Sequence, residues 1–480
     1  MRNRSAVLLL ALSAGLAQAA PLPRLRASEN GRFFVKEGGS PFLYLADTAW
    51  GLYHFSREDA DLYLKDRAAK RFTVIQTIVA HWGGLEVPNA YGQTVFTGGD
   101  AARPNNAYFE QVDYVVDKAA SLGLYVAMVP IWSKEYVTRE KSVLTKTSAF
   151  SYGKFLGLRY RDKPVIWILG GDWFADGVED IWRAMAAGIA EGDGGNHLKT
   201  YHPKSPRSSS QWFHTDAWLD FNMIQSGHSV LNRGYELVAA DWSLTPAKPV
   251  VEGESGYENI ADSFGTGGYE NITGGLVPQK RIDANDVRRF AYCALFAGAA
   301  GYAYGCNEIF GIRGSRGTGG RARTGEAAMP WKEALQRPGA LQMGHLRTLI
   351  ESRPMLNRIP DQWLVLNDPL GTAERIEACR ASDGSYAFIY TATGQKLVIR
   401  VVDRIYDKLS GKAVRAWWFD PRNGTSRRIG EFSKTPTAKE TPWSGTFLSF
   451  TPPSSGPGND WVLVLDDAAR NFPAPGKEIE

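Results

Sequence analysis

Only three cysteines, Cys293, Cys306 and Cys379, occur in 480 residues. Three thiols cannot build a disulfide framework, and no CxxC or Cys/His spacing marks structural zinc. A Cys293–Cys306 disulfide is conceivable, but two buried thiols are the simpler expectation. An excess of one charge is also missing. Lys and Arg number 55 against 51 Asp and Glu, leaving +4. That balance argues against nucleic acid as a partner, because phosphate binders carry dense basic patches. Beyond the N-terminus no apolar stretch approaches the roughly 18 residues needed to span a bilayer. Internal repeats and long low-complexity linkers are absent too.

What is present is a globular composition, 44% apolar and 22% charged, with 50 glycines and 25 prolines. The length fits one barrel-sized domain plus a smaller one. The first residues stand apart. Arg2 and Arg4 form a basic start, residues 6–17 are apolar, and Ala17-Gln18-Ala19 fits a signal-peptidase site. Residues 1–19 therefore read as a signal peptide, and the mature chain as an exported soluble protein, periplasmic or extracellular.

From residue 42 to about 350 one theme repeats: a short apolar run, a polar or Gly-rich loop, then a helical pattern. Strands are expected at 42–46, 73–79, 125–131, 165–169, 199–202, 221–225, 249–252 and 299–304, several apolar throughout, as parallel strands buried on both faces are. Ser56 with Asp59 makes a capping box, and Tyr108, Val112, Val115, Ala119 and Leu122 keep a helical period that Gly123 ends. Eight strands alternating with helices predict a (β/α)8 TIM barrel over residues 20–353. A doubly wound sheet is the runner-up, but no GxGxxG follows the first strand. Residues 24–36 read as a hairpin turning at Asn30-Gly31 and plugging the barrel's N-terminal end. After residue 353, short strands at 363–366, 387–391, 396–401, 413–419, 446–449 and 461–465 predict an antiparallel β-sandwich over 354–480.

Such a barrel builds its active site after the C-terminal ends of its strands. There the sequence places Asp47, Trp50 and His54, then His81 and Trp82, Trp132, Asp172 and Trp173, His202, Gln225 and His228, Glu252 and Glu254, and Asn307 and Glu308. Carboxylates after strands four and seven face each other across the barrel mouth, and two carboxyl groups flanking one bond are what glycosidic cleavage needs. Tryptophans after four successive strands suit sugar rings. Blander roles exist for each. Asp172 could cap the helix that follows, Glu252 and Glu254 could be solvated charges, and the tryptophans could close the core. His81, His202 and His228 could converge on a metal, but without HxH, HExxH or a bridging lysine they suit hydrogen bonding to sugar hydroxyls better, and neither metal nor cofactor is expected. Two Gly-rich loops, 263–275 and 311–325, follow strands seven and eight. The second carries Arg313, Arg316, Arg321 and Arg323, suited either to solvent or to an acidic glycan.

Leu45-Ala46-Asp47-Thr48-Ala49-Trp50, Trp167-Ile168-Leu169-Gly170-Gly171-Asp172, Tyr201-His202-Pro203 and Trp218-Leu219-Asp220-Phe221 running on to Gln225-Ser226-Gly227-His228 resemble the apiosidase-like proteins of glycoside hydrolase family 140. So does Glu252-Gly253-Glu254. The segments Ala416-Trp417-Trp418-Phe419-Asp420 and Gly458-Asn459-Asp460-Trp461 resemble the β-sandwich usually attached to them, often labelled collagen-binding. The resemblance implies a retaining endo-hydrolase of pectic glycan that cleaves apiose–galacturonate linkages of rhamnogalacturonan II. It makes Asp172 the general acid/base and Glu254 the nucleophile. Asp47, Trp50, His81, Trp132, His202, Gln225 and His228 are the substrate-binding candidates. Glu252 stands where the family motif has Asp, and Ser255 where Pro is common, so the choice between Glu252 and Glu254 stays open. The competing class is a non-catalytic glycan- or collagen-binding surface protein.

Overall fold

The computed structural model describes residues 21–478 apart from 82, 263–279, 313–328, 370, 372, 401–412 and 434–446. The expected signal peptide, Trp82, loop 263–275 and the four loop arginines lie outside the described residues. The chain opens with a small antiparallel sheet, β1 (Leu25–Ala27), β2 (Phe34–Lys36) and β3 (Pro41–Phe42). The parallel strands follow: β4 (Tyr44–Thr48), β5 (Val74–Ala80), β6 (Tyr125–Ile131), β7 (Val165–Gly170), β8 (Lys199–His202), β10 (Asn222–Gln225), β11 (Val250–Glu254) and β12 (Gly301–Tyr304). A short β9 (Arg207–Ser208) pairs antiparallel with β10. The ladders run β8-β7-β6-β5-β4-β12-β11-β10-β9. Across the seam between β8 and β10, Asp220 N–H donates to Lys199 O at 2.9 Å and Lys199 N–H to Asp220 Oδ2 at 2.7 Å. Thr200 Oγ1 adds a bond to Phe221 O at 2.6 Å. This is the TIM-like barrel that the alternation predicts.

Alternation along each strand separates two cores. Ala46, Val74, Ile78, Ala127 and Ile168 point inward, while Leu45, Ile75, Val126 and Trp167 meet the surrounding helices. The first hairpin closes the bottom as expected: Phe34 sets its ring edge-on to Phe221 at 5.2 Å, and Phe42 to Tyr125 at 5.1 Å. Ser56 caps the helix Arg57–Ala69 by accepting from Asp59 N at 3.2 Å. The reciprocal arm of the expected capping box is replaced, because the Asp59 carboxylate meets Lys332 at 2.7 Å. The helices on either side of β7, Lys146–Tyr160 and Glu179–Asp193, touch backbone to backbone. A Cβ on Gly157 would strike Ile189 O, and one on Gly188 would strike Phe150 O.

The C-terminal unit is all antiparallel: β13 (Arg358–Pro360), β14 (Ile376–Ala381), β15 (Tyr386–Thr391), β16 (Leu397–Arg400), β17 (Ala413–Asp420), β18 (Thr425–Ser433), β19 (Phe447–Phe450) and β20 (Trp461–Asp467). Six strands form one sheet in the order β13-β14-β15-β20-β17-β18, and β16 pairs with β19 in a second. Segment 363–366, expected as a strand, is instead a 3₁₀ turn (Gln362–Leu364) with a single bridge at Val365. Strands β13, β14 and β18 escaped the sequence reading; β18 is largely exposed and sends only Phe432 against the core, edge-on to Phe450 at 5.6 Å, so its residues carry little hydrophobic alternation. Strands β14, β15 and β20 of the large sheet are buried on both sides. Ala387 and Ile389 join Leu397 and Ile399 of the small sheet. On the other face Tyr390 stacks on Tyr292 of the barrel helix Ala284–Phe296 with centroids 4.9 Å apart, and Phe388 stacks on Phe296 at 5.6 Å. All three cysteines are free and buried, so the disulfide is not formed.

A buried bidentate ion pair fastens the two units. Arg288 Nε and Nη2 donate to Asp460 Oδ2 and Oδ1 at 2.8 and 2.6 Å, with side chains 4% and 0% exposed. Asp460→Ala would strand Arg288 without its counter-charge and should lower unfolding free energy by about 3–5 kcal/mol, measurable by denaturant titration.

Candidate active site

Strand β7 ends at Gly170 and Gly171 follows it, with φ of +84° and +129°. A side chain on Gly170 would meet the Tyr201 ring, and one on Gly171 the Trp132 ring. Two glycines thus let the backbone pass between these rings and deliver Asp172 with φ +56°, a left-handed conformation that Asp tolerates. The next helix begins only at Glu179, so Asp172 is no N-cap. Its Oδ1 accepts from Gln225 Nε2 at 2.9 Å, Lys134 Nζ lies 3.7 Å from Oδ2, and the side chain is 31% exposed at the barrel mouth.

The opposite wall depends on an irregularity. Val251 points into the barrel, so regular alternation would turn Glu252 and Glu254 both outward. The β10–β11 register slips between Ile224 and Gln225, pairing Ile224 with Glu252 but Gln225 with Glu254. That bulge swings Glu254 to the mouth and leaves Glu252 behind the strand. Glu254 Oε2 lies 3.1 Å from His202 Nε2, and Oε1 lies 3.2 Å from His228 Nε2. Burial by itself would raise its pKa, but hydrogen bonding and charge from the two histidines outweigh it and hold the carboxyl at about 2. Glu254 is therefore an ionised carboxylate across the physiological range. His202 also touches the backbone of the second acid, since the Asp172 main-chain N–H reaches its Nδ1 at 3.4 Å.

Glu252 has the opposite chemistry. Burial, only partly offset by bonds from Ser226, pushes it up to about 8. Of the two glutamates left open by the sequence, Glu254 alone is an anion facing the mouth.

Asp172, Glu254, His202, Gln225 and His228 thus come together. Others expected to bind substrate do not. Asp47 points away from the mouth, fully buried and bound to Arg67 Nε and Tyr63 Oη at 2.5 Å each, because its position on β4 alternates outward. Trp50 is 1% exposed and packs against Trp132 (5.3 Å) and edge-on to His202 (5.7 Å). Trp132 lies 5.4 Å from His202 and beneath Gly171. Both tryptophans form the floor that orients His202 and offer no open face to a sugar. His81 turns to His54 (5.6 Å) and accepts from Gly83 N at 3.1 Å. Trp173 keeps a partly open aromatic face, with Lys204 Nζ 4.5 Å above it. Lys134, Lys204 and Tyr257 were not foreseen. Tyr257 packs on His228 at 4.5 Å, and burial plus the Glu254 charge keep its phenol neutral, pushing it well above its usual range. Nothing in their spacing announces them: Lys134 comes from the one-turn helix Ser133–Tyr136, and Lys204 and Tyr257 from loops.

Among the described residues no group of three His, Cys, Asp or Glu side chains is arranged to hold a metal ion. One buried anion facing a second, half-exposed carboxyl is the arrangement that acid–base and nucleophilic chemistry on a glycosidic bond uses. The catalytic domain described as "Apiosidase-like, catalytic domain" matches residues 28–357. The chain belongs to the apiosidase-like family. Residues 359–466 match a domain described as "Putative collagen-binding domain of a collagenase". A family 5 glycoside hydrolase from Bacteroides vulgatus ATCC 8482 is 31% identical with a TM-score of 0.80, over 94% of this chain and 95% of its own. A second structure, described as "Glycoside hydrolase", has the same identity and TM-score over 94% and 98%. A further Bacteroides vulgatus structure, 15% identical with a TM-score of 0.63 over 93% and 82%, shares the fold. No curated protein matches. This apiosidase-like chain is accordingly a glycan-degrading hydrolase, and no helix among its described residues is long and apolar enough to cross a membrane.

A carboxyl with a pKa of about 8 when folded and an ordinary 4.5 when unfolded binds more protons in the folded state between those values. Stability from Glu252 is thus full below pH 4.5 and falls as pH rises toward 8. Glu252→Gln should flatten this decline, seen as a smaller loss of Tm from pH 5 to 8 than in the unmodified protein.

Proposed function

We propose that this apiosidase-like protein is a retaining glycosidase in which Glu254 is the nucleophile and Asp172 the general acid/base. The observation that carries the reading is the ionised Glu254 held between His202 and His228, facing the mouth with Asp172 beyond the shared imidazole. Glu254 attacks the anomeric carbon while the leaving oxygen takes the Asp172 proton, giving a glycosyl ester and a free alcohol. Asp172 then takes a proton from water, whose oxygen attacks the same carbon and releases Glu254. Gln225, bonded to Asp172, positions the acid.

The substrate proposed is the apiose–galacturonate linkage of rhamnogalacturonan II, supported by the family match. Export follows from residues 1–19 read as a signal peptide. The C-terminal unit is read as a buttress for the barrel, supported by the aromatic stacks and ion pair that occupy one face of its large sheet.

Digestion of rhamnogalacturonan II and apiose-linked oligosaccharides tests the reading. Release of an apiose-terminated fragment is expected, with the first-formed anomer retaining configuration by NMR. Glu254→Gln should abolish turnover, and Asp172→Asn should lower kcat by about 10²–10⁴-fold. Inversion at the anomeric carbon, or a Glu254→Gln variant of undiminished rate, would overturn the mechanism. Turnover of a different glycan would leave the mechanism and replace the sugar.

A further inference from the structure

Glu252 is absent from the reaction above, yet it is fully buried beside it. Its Oε1 accepts from Ser226 N at 3.3 Å, and the same N–H donates to Glu254 O at 3.0 Å. Ser226 begins the loop 226–234 that carries His228. Asn232 closes this loop, its Nδ2 donating to Ser226 Oγ at 2.8 Å and Gly227 O at 2.6 Å, and its Oδ1 accepting from Gly234 N at 2.8 Å. From the middle of the loop His228 sets Nδ1 on Ser255 O at 2.9 Å and turns Nε2 to Glu254. The other oxygen of Glu252, Oε2, has no protein hydrogen-bond partner and borders a cavity of about 10 Å³, room for one water. That cavity is lined by Tyr235, by Arg289 and Cys293 of the helix Ala284–Phe296, and by Arg375 from the C-terminal unit. Gly234 leaves no room for a side chain, since a Cβ there would strike Oε2.

We propose that Glu252 is a positioning residue: from behind β11 it anchors loop 226–234 so that His228 meets the nucleophile. The inference rests on Glu254 being that nucleophile. What Glu252 supplies is one carbonyl-type acceptor, a fixed shape and no charge. Its raised pKa agrees, since a neutral acid offers the same acceptor as an amide. A glutamine should therefore replace it, and an aliphatic residue should not. Beyond its own strand Glu254 faces His202 from β8, His228 from the loop, and Tyr257, with Asp172 across the mouth. Loosening His228 removes one of the two groups that keep Glu254 ionised.

The test compares Glu252→Gln, Glu252→Leu and Gly234→Ala in the full chain, by kinetics and by ¹⁵N-imidazole NMR of the seven histidines. Glu252→Leu should lower kcat between about tenfold and a hundredfold with KM little changed, as a misplaced reacting group does. The acid limb of kcat/KM should move to higher pH, and the His228 resonances should shift. Glu252→Gln should stay within about threefold and keep both signatures, a margin of roughly 0.7 kcal/mol. Gly234→Ala pushes the carboxyl aside without removing it and should copy Glu252→Leu, so it decides the matter if the leucine variant does not fold. A folded Glu252→Leu or Gly234→Ala with an unmoved acid limb and unmoved His228 resonances would overturn the proposal. Loss of activity in Glu252→Gln with the His228 resonances unmoved would also overturn it, by pointing to a direct chemical role. The NMR signatures need no substrate, so they decide the positioning role even if Glu254 proves not to be the nucleophile.

Discussion

A carboxylate kept ionised inside a protein is the constraint around which this molecule is arranged. Removing Glu254 from water disfavours its charge, and only close cationic or donor partners reverse that. His202 and His228 are those partners, one on each oxygen. Each needs its own support. Trp50 and Trp132 pack the His202 ring from the barrel floor, and the Ser255 carbonyl with the 226–234 loop fixes His228. The glycine pair before Asp172 serves the same end, because it lets the strand pass close over Trp132 and place the second acid within reach of His202.

The C-terminal unit extends this arrangement more than it decorates it. The middle of its six-stranded sheet is covered on one side by its own small sheet and on the other by the helix Ala284–Phe296. The same helix lends Arg289 and Cys293 to the cavity behind β11, where Arg375 arrives from the C-terminal unit. Arg375 lies 4.1 Å from the Tyr235 ring and is paired with Glu377 and Asp368. The chain of contact from the second unit to the back of strand β11 is thus short, interrupted only by that small cavity.

Much of the barrel was legible because its signals are local. Buried parallel strands read as apolar runs, and 125–131 and 199–202 coincide with β6 and β8 to the residue. The Asn30-Gly31 hairpin and the Ser56 cap are likewise short-range chemistry. The errors have a common cause in facing direction. Asp47 follows the same strand logic as Asp172, yet alternation sends it to Arg67 behind the wall. Trp50 follows a strand too, but its ring folds inward. In the C-terminal unit β18 was missed because a largely exposed edge strand with Phe432 as its one core contact has little alternation to read.

The sequence by itself determined the class of fold, the two-unit organisation and the short set of residues from which a site could be made, since each depends on pattern within a few turns of chain. It favoured Glu254 over Glu252 only by family resemblance, since the two stand two residues apart on one strand. Only the tertiary structure separated them. A one-residue slip against β10 turns one to the histidines and the other to a small cavity behind the strand. That slip is set by packing between strands distant in the chain, and the charge state of each carboxyl follows from what surrounds it there.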